Sequence, residues 1–217
     1  MSIPACTKKS QVKILGLFSI RVRLLWDYRT PGIPDELFYR VEDVPITKED
    51  IRALVVSKLR LKEKSSAIDV GCGSGSITVE MCLQTKGKIY AIDFDEKAVE
   101  LTRKNLQKFD VRAEVIFSKA QDVLTLLPQV DAILIGGTSG EVERIVNLGV
   151  DRLNKGGRIV IDTVLIETMY RALTTINQAN LEEVDVTQAI IAKARKVATG
   201  TMMLARNPII IISATKH

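Results

Sequence analysis

The chain has 217 residues, of which 46% are hydrophobic and 26% are charged, the balance of a soluble globular protein. This composition excludes a disordered chain, a collagen and a membrane bundle, and the length fits one domain or at most two. The net charge is +5, but residues 1–40 carry seven Lys/Arg against three Asp/Glu, and residues 41–217 are nearly neutral. A bulk electrostatic footprint for nucleic acid is therefore absent from the body of the chain, and we expect no nucleic-acid partner.

The inventory of cysteine and histidine limits the possible chemistry. The three cysteines, Cys6, Cys72 and Cys82, show neither a metal-ligand spacing nor a disulfide framework. The single histidine is the terminal residue His217, which nearly excludes a His-ligated metal site and a Ser-His-Asp triad. We expect no metal, and any catalysis must proceed without histidine.

The N-terminal stretch, residues 1–32, holds most of the excess positive charge. Its apolar run at residues 14–20 is too short to span a bilayer and is followed by arginines rather than by a small-residue cleavage site. The segment Pro31-Gly-Ile-Pro34, rich in proline and glycine, then predicts a turn or loop. We predict an extension outside the fold, with a membrane-surface or partner-binding helix as the alternative, and one folded domain over residues 33–217.

From residue 41 onward, apolar runs typical of buried strands alternate with helical patterns. Thr47 and Asp50 form a capping-box-like start for a first helix over about residues 48–60. The predicted elements then follow as strand 67–70, helix 76–83, strand 88–93, a helix capped by Asp95, strand 111–117, helix 120–127, strand 131–135, helix 141–153, strand 158–161, helix 167–179, and strands 181–191 and 207–213. Five strand–helix alternations predict an α/β fold with a parallel sheet covered on both faces. The last two strands are expected to pair antiparallel at one edge, with a loop between them.

The strongest local signal is the glycine-rich segment Asp69-Val-Gly-Cys-Gly-Ser-Gly75, between the first sheet strand and the helix after it. Glycines let the backbone approach a ligand closely and open the helix N-terminus toward it. Asp93 ends the second strand, 22 residues after Gly71, where a carboxylate can accept hydrogen bonds from ribose hydroxyls. The pattern predicts a ribose-bearing cofactor, although the glycine spacing departs from the NAD fingerprint. The alternative is a tight turn with a capping aspartate.

Two of these segments resemble those of a known superfamily. Residues 68–75 resemble the first motif of the Rossmann-like class I S-adenosylmethionine methyltransferases, and Ala91-Ile-Asp93 resembles their ribose-binding motif. The resemblance covers about residues 45–215. It implies the cofactor S-adenosyl-L-methionine and a seven-stranded, mostly parallel sheet with one antiparallel strand near the C-terminal edge.

A further set of segments narrows the resemblance. They are Pro45-Ile-Thr-Lys48, Ile135–Glu141, Thr163–Thr168, Gly200–Met203 and Arg206-Asn-Pro208. In this order they closely resemble the CbiT family, the decarboxylating cobalt-precorrin-6B methyltransferases of anaerobic cobalamin biosynthesis. The resemblance implies methyl transfer to carbon 15 of a cobalt-precorrin macrocycle, with decarboxylation of the ring C acetate. It also implies a homotetramer, and we expect a cytoplasmic enzyme without a membrane partner.

The resemblance also implies site residues. The cofactor contacts would come from Thr47, Gly71, Cys72, Gly73, Ser74, Gly75, Asp93 and Ala120. Lys119 departs from the family, whose members often carry an acidic residue there, so a carboxylate contact is lost whereas a backbone contact from Ala120 could survive. The substrate candidates are Thr138, Ser139, Glu167 and Arg206. Their alternatives are helix capping for the first two, a helix first-turn role for Glu167 and a solvated surface charge for Arg206; no catalytic residue is assigned.

Two other function classes stay open on the sequence. One is a transfer-RNA adenine methyltransferase, which the near-neutral body and the lack of an RNA-binding module disfavour. The other is a non-catalytic nucleotide-binding subunit. The strand Ile209–Ile212 is apolar on both faces and needs cover on both, from helices or from another subunit. The resemblance favours a subunit.

Overall fold

Nine strands and six α-helices make up residues 25–217, the part of the chain that the computed structural model describes. The helices are α1 Glu49–Lys58, α2 Ser76–Gln84, α3 Glu96–Lys108, α4 Ala120–Val123, α5 Val142–Arg152 and α6 Ile166–Gln178. The strands are β1 Ala67–Val70, β2 Ile89–Asp93, β3 Glu114–Phe117, β4 Val130–Ile135, β5 Leu153–Thr163, β6 Glu182–Ala189, β7 Ala192–Val197, β8 Gly200–Ala205 and β9 Ile209–Thr215. Short 3-10 turns lie at Asp35–Leu37 and Leu124–Leu126.

Seven strands form one sheet in the order β3-β2-β1-β4-β5-β9-β6. Strands β1 to β5 are parallel, and β9 runs antiparallel to both of its neighbours, β5 and β6. The predicted fold class is thus confirmed. The strand order reverses between β1 and β4, so a crevice opens at their carboxyl ends, where such sheets bind ligands.

Helices of the chain itself cover both faces of the sheet. Because side chains alternate along a strand, Ile133 of β4 joins one apolar cluster while Leu134 joins the other. The same alternation on β9 places Ile212 in the cluster that includes Ile176 of α6, and Ile211 in the cluster that includes Val55 of α1. Strand β9 therefore needs no second subunit for cover at these two positions, which corrects the argument for assembly drawn from its sequence.

The starts of two helices test the capping predictions. Asp95 caps α3 as predicted, because its side chain accepts a 2.9 Å hydrogen bond from the backbone N–H of Lys97. The predicted cap at Thr47 is wrong. The N-cap of α1 is Lys48, and the Thr47 carbonyl accepts instead from the Arg52 guanidinium.

Strands β7 and β8 form a separate two-stranded hairpin where the sequence pattern predicted a loop. Its side chains are mostly exposed, and Met203 is 63% exposed. Apolar and polar residues alternate along a strand when one face of the sheet is buried. This hairpin has no buried face, so its sequence lacks the alternation by which strands are predicted.

The structure describes only residues 25–32 of the predicted N-terminal extension. Residues 1–24 and the apolar run inside them lie outside the described residues, so a boundary at residue 33 stays a prediction. Within residues 25–32, Trp26 packs against the apolar cluster around Phe38, and the Gly32 N–H donates to Glu80. Among the described residues, no helix is long and apolar enough to cross a membrane.

Candidate active site

A cavity of about 540 Å³ opens at the carboxyl ends of β1, β2 and β4 and is called the first cavity here. Four of the predicted cofactor residues line it, namely Gly71, Gly73, Asp93 and Ala120. Lys119, at the position that departs from the family pattern, also lines it. The glycine loop and Asp93, which the sequence spacing indicated, and Ala120, which the resemblance implied, therefore lie on one concave surface.

Close backbone packing explains the glycines at Gly71 and Gly75. Both have left-handed φ angles, 78° and 73°. A Cβ on Gly71 would lie 2.7 Å from backbone atoms of Gly137, and a Cβ on Gly75 would lie 2.8 Å from Thr102. The loop thus depends on glycine for its fit against the protein itself, which shapes the cavity wall.

Asp93 lies in the wall of the first cavity and is nearly buried. Its Oδ2 accepts a 2.9 Å hydrogen bond from the Gly73 N–H, and its Oδ1 accepts a 3.0 Å bond from the Asp95 N–H. An ionised carboxylate has about four acceptor positions, so two remain for a ligand. Hydroxyl groups of a ribose suit these positions.

The other predicted cofactor residues do not line the cavity. The Cys72 thiol lies 3.4 Å from the Thr102 hydroxyl, and burial raises the pKa of this thiol. Ser74 is buried, and Gly75 is the N-cap of α2. Thr47 is bound through its carbonyl to Arg52. A role for these four in binding stays a prediction, and their observed contacts are those of support behind the loop.

A second cavity, of about 650 Å³, adjoins the first. The two share Gly136, Thr138 and Ser139, so the loop after β4 stands between them. The N-cap of α5 is Glu141, whose side chain makes no capping bond, and the Glu141 N–H donates a 2.8 Å hydrogen bond to the Thr138 carbonyl, so neither Thr138 nor Ser139 is the N-cap residue. Exposed Glu167, in the first turn of α6, lines the second cavity.

The second cavity contains an acid that the sequence analysis missed. Asp162 lies near the carboxyl end of β5, and its Oδ1 is shielded from solvent without a hydrogen-bond partner among the described residues. Burial raises the pKa of Asp162 to about 6. The strand-end argument that identified Asp93 would have identified it too, since Asp162 is an acid near the end of a predicted strand.

Arg206 lies at a third cavity, of about 360 Å³, which shares Ile209 with the second. Its Nη1 is buried and has no hydrogen-bond partner within residues 25–217. The alternative of a solvated surface charge therefore does not fit Nη1 of Arg206. The nearby Lys48 pairs with Asp35 at 3.6 Å.

Comparison of sequences places the chain among a defined set of relatives. A family model described as "Precorrin methyltransferase domain" matches residues 38–216. The chain is 46% identical over 196 residues to a probable cobalt-precorrin-6B C(15)-methyltransferase (decarboxylating) of Saccharolobus solfataricus, covering 88% of this chain and 98% of that one. It is 40% identical over 185 residues to the protein of the same description from Methanocaldococcus jannaschii, covering 85% and 98%.

Solved structures agree with this placement. The precorrin 8W decarboxylase of Methanobacterium thermoautotrophicum matches with a TM-score of 0.80 at 32% identity, covering 84% of this chain and 98% of that one. The precorrin-6Y C5,15-methyltransferase of Geobacter metallireducens matches with a TM-score of 0.81 at 31% identity, covering 88% and 100%. A tRNA (m1A58) methyltransferase of Aquifex aeolicus, at 15% identity, TM-score 0.69, and coverage of 83% and 73%, shares the fold alone.

Proposed function

The chain belongs to the precorrin methyltransferase family, and we propose that it methylates a cobalt-precorrin macrocycle at carbon 15 and decarboxylates the ring C acetate. The resemblance read from the sequence is confirmed at the level of the family. The enzyme class follows from relatives at 40–47% identity that are described as decarboxylating methyltransferases.

The first cavity supports S-adenosyl-L-methionine as the cofactor. The cofactor supplies an activated methyl group when it is bound. The Asp93 carboxylate has acceptor positions left for ribose hydroxyls, and the backbone of Gly71 and Gly73 forms a wall without side chains. Ala120 lines the same cavity and leaves room for a flat ring. These residues bind and orient, which is what methyl transfer from a sulfonium chiefly requires of a protein.

The observation that carries the proposed substrate is that three cavities along the carboxyl edge of the sheet share lining residues. Thr138 and Ser139 border both the first and the second cavity, and Ile209 borders the second and the third. A macrocycle is much wider than a nucleotide, so a set of adjoining cavities suits it better than a single one. We place the macrocycle beside the Thr138 loop and propose contacts from Thr138, Ser139 and Glu167.

The chemistry of the second and third cavities also suits a macrocycle with carboxylate side chains. Val164 and Leu165 line the second cavity, and their side chains are 55% and 56% exposed. These apolar side chains can pack against a ring face. The unpartnered Nη1 of Arg206 can donate to a substrate carboxylate in a charge-assisted hydrogen bond.

We also propose a homotetramer that acts in the cytoplasm. The hairpin of β7 and β8 leaves Val197, Met202, Met203 and Leu204 between 41% and 63% exposed. A two-stranded ribbon is marginal alone, so these residues favour cover by another subunit. Light scattering on the full chain checks this, and a monomer would contradict it.

The test of the function is an assay of the purified enzyme with cobalt-precorrin-6B and S-adenosylmethionine. We expect carbon dioxide release together with transfer of one methyl group, measured by gas capture and mass spectrometry. A parallel reaction with unmodified transfer RNA should show no methylation. Methylation of transfer RNA with no reaction on the macrocycle would overturn the proposal.

A further inference from the structure

Asp162 lies in the wall of the second cavity. Its Oδ1 is buried and lacks a hydrogen-bond partner among residues 25–217. Buried polar atoms are nearly always paired in native proteins, so an unpaired one in a cavity wall indicates a group that binds there. Asp162 lines the second cavity and not the first, which places it on the substrate side rather than the cofactor side.

The adjoining backbone leaves room for this carboxyl at the cavity wall. A Cβ on Gly136 would lie 3.2 Å from Asp162 Oδ1, closer than ordinary van der Waals contact, so glycine lets the carboxyl pack against the loop after β4. Gly136 itself borders both the first and the second cavity. The carboxyl therefore faces the junction where a bound cofactor and a bound macrocycle would meet.

Burial favours the protonated form of Asp162. The pKa of Asp69 of β1 is raised to about 7, first by its own burial and to a smaller extent by the charge of Asp162. From α6, Glu167 and Arg171 line the same cavity, and the Arg171 guanidinium is paired with Glu143 of α5. Among the residues that line this cavity, Arg171 is the only cation, so no described neighbour there stabilises the carboxylate of Asp162.

The proposed reaction needs a proton at a defined step. When the acetate loses carbon dioxide, its carbon–carbon bond breaks and the electron pair passes into the conjugated ring. Conversion of the remaining exocyclic carbon into a methyl group then requires one proton. The chain offers no histidine within residues 25–216 to supply it, and a carboxyl whose pKa is raised to about 6 keeps a protonated fraction near neutral pH that can do so.

Building on the proposed function, we propose that Asp162 is the general acid that protonates the exocyclic carbon of ring C after decarboxylation. The O–H bond of Asp162 breaks, a C–H bond forms, and the electron pair returns from the ring to that carbon. Asp162 is left as a carboxylate and regains its proton from solvent. Glu167 is the weaker candidate, because it is exposed and lies in the first turn of α6.

The test compares Asp162→Asn with Asp151→Asn, the same change at an exposed acid of α5. Formation of the decarboxylated product should fall about 100-fold or more in Asp162→Asn, the contribution expected of a general acid. Its affinity for S-adenosylhomocysteine should stay within about twofold of the wild type, and Asp151→Asn should match the wild type in both measurements.

A pH profile separates an acid from a structural residue. In the wild type, decarboxylation should decline as pH rises through the pKa of Asp162, because the protonated form is the active one. Asp162→Asn should lose this decline, and Asp162→Glu should recover part of the rate together with the decline. The last variant also covers the case in which Asp162→Asn does not fold.

Three results would overturn the assignment. The first is decarboxylation by folded Asp162→Asn near the wild-type rate. The second is a loss of cofactor affinity as large as the loss of rate, since Asp162 would then hold the cofactor. The third is a pH decline that disappears in Glu167→Gln and persists in Asp162→Asn. A wild-type enzyme inactive on cobalt-precorrin-6B would instead contradict the proposed function itself.

Discussion

The backbone N–H of Gly73 donates a 2.9 Å hydrogen bond to Oδ2 of Asp93. This bond joins the glycine loop after β1 directly to the carboxyl end of β2. Asp93, which we propose binds the cofactor ribose, therefore also holds the glycine loop in place. Substitution of Asp93 must be conservative if binding is to be separated from loop structure.

We expect Asp93→Asn to weaken binding of S-adenosylhomocysteine about 10- to 100-fold. The amide retains one acceptor oxygen but loses the negative charge, and a hydrogen bond to a charged group contributes about 1.5–3 kcal/mol. Isothermal titration calorimetry measures the affinity, with exposed Asp151→Asn as the matched control. Unchanged affinity in a folded Asp93→Asn protein would show that Asp93 supports the loop without contacting the cofactor.

Gly71→Ala should damage the cofactor site more than Gly156→Ala does. Both glycines have φ near the same left-handed value, 78° and 75°, so the intrinsic strain of alanine is matched at roughly 1–2 kcal/mol. A Cβ at Gly71 meets Gly137 backbone at 2.7 Å, whereas nothing lies within 4 Å of a Cβ at Gly156. Calorimetry and thermal melts should show lost affinity and the larger decrease in melting temperature for Gly71→Ala. Equal decreases in both variants would contradict this.

Arg52→Met should destabilise the protein by about 3–5 kcal/mol. The Arg52 side chain is fully buried and pairs with Glu80 at 2.7 Å and with Asp35 at 3.2 Å, both nearly buried. Methionine would leave the buried carboxylate of Glu80 without its cation, and Asp35 would keep only the longer 3.6 Å pair with Lys48 among its described ion pairs. Urea unfolding measures the free energy, and Lys86→Met, which breaks an exposed pair with Glu63, should change it little. Similar effects of the two changes would refute the role of burial.

Asp69→Asn should alter how stability depends on pH. Burial raises the pKa of Asp69 to about 7, above the ordinary value of about 3.9, so the folded state binds its proton more tightly than the unfolded state. This contribution to stability is complete below about pH 4 and is lost as pH rises through about 7. Thr78 donates a 2.5 Å bond to this carboxyl, which asparagine can still accept.

The measurement is a series of thermal melts from about pH 5 to about pH 8. The stability of Asp69→Asn relative to wild type should increase with pH over that range. Asp110→Asn, at an exposed turn position that tolerates asparagine, should follow the wild type. A constant difference between Asp69→Asn and wild type would mean that Asp69 is ionised in the folded protein throughout.

The sequence by itself determined the mostly parallel sheet, the succession along the chain of the strands and helices that form it, and the two motifs at its carboxyl edge. These features are local, because each depends on residues that are close together in the sequence. This holds for the strand and helix periods, for the glycines of a tight turn and for an acid at a strand end. The Asp95 cap shows the same point, since its partner Lys97 is two residues away. The carboxyl ends of parallel strands must meet at one edge, so Asp93 and the glycine loop could be brought together without coordinates.

Only the tertiary structure decided the contacts between distant segments. The distance from Arg52 to Glu80, the approach of Gly71 to Gly137 and the unpartnered Oδ1 of Asp162 depend on how separate elements pack. The hairpin of β7 and β8 was not predicted, for a related reason. It packs against no described core, so its sequence shows no alternation of apolar and polar residues. Local patterns are set by backbone geometry, whereas burial, pairing and pKa are set by neighbours that the order of residues does not reveal.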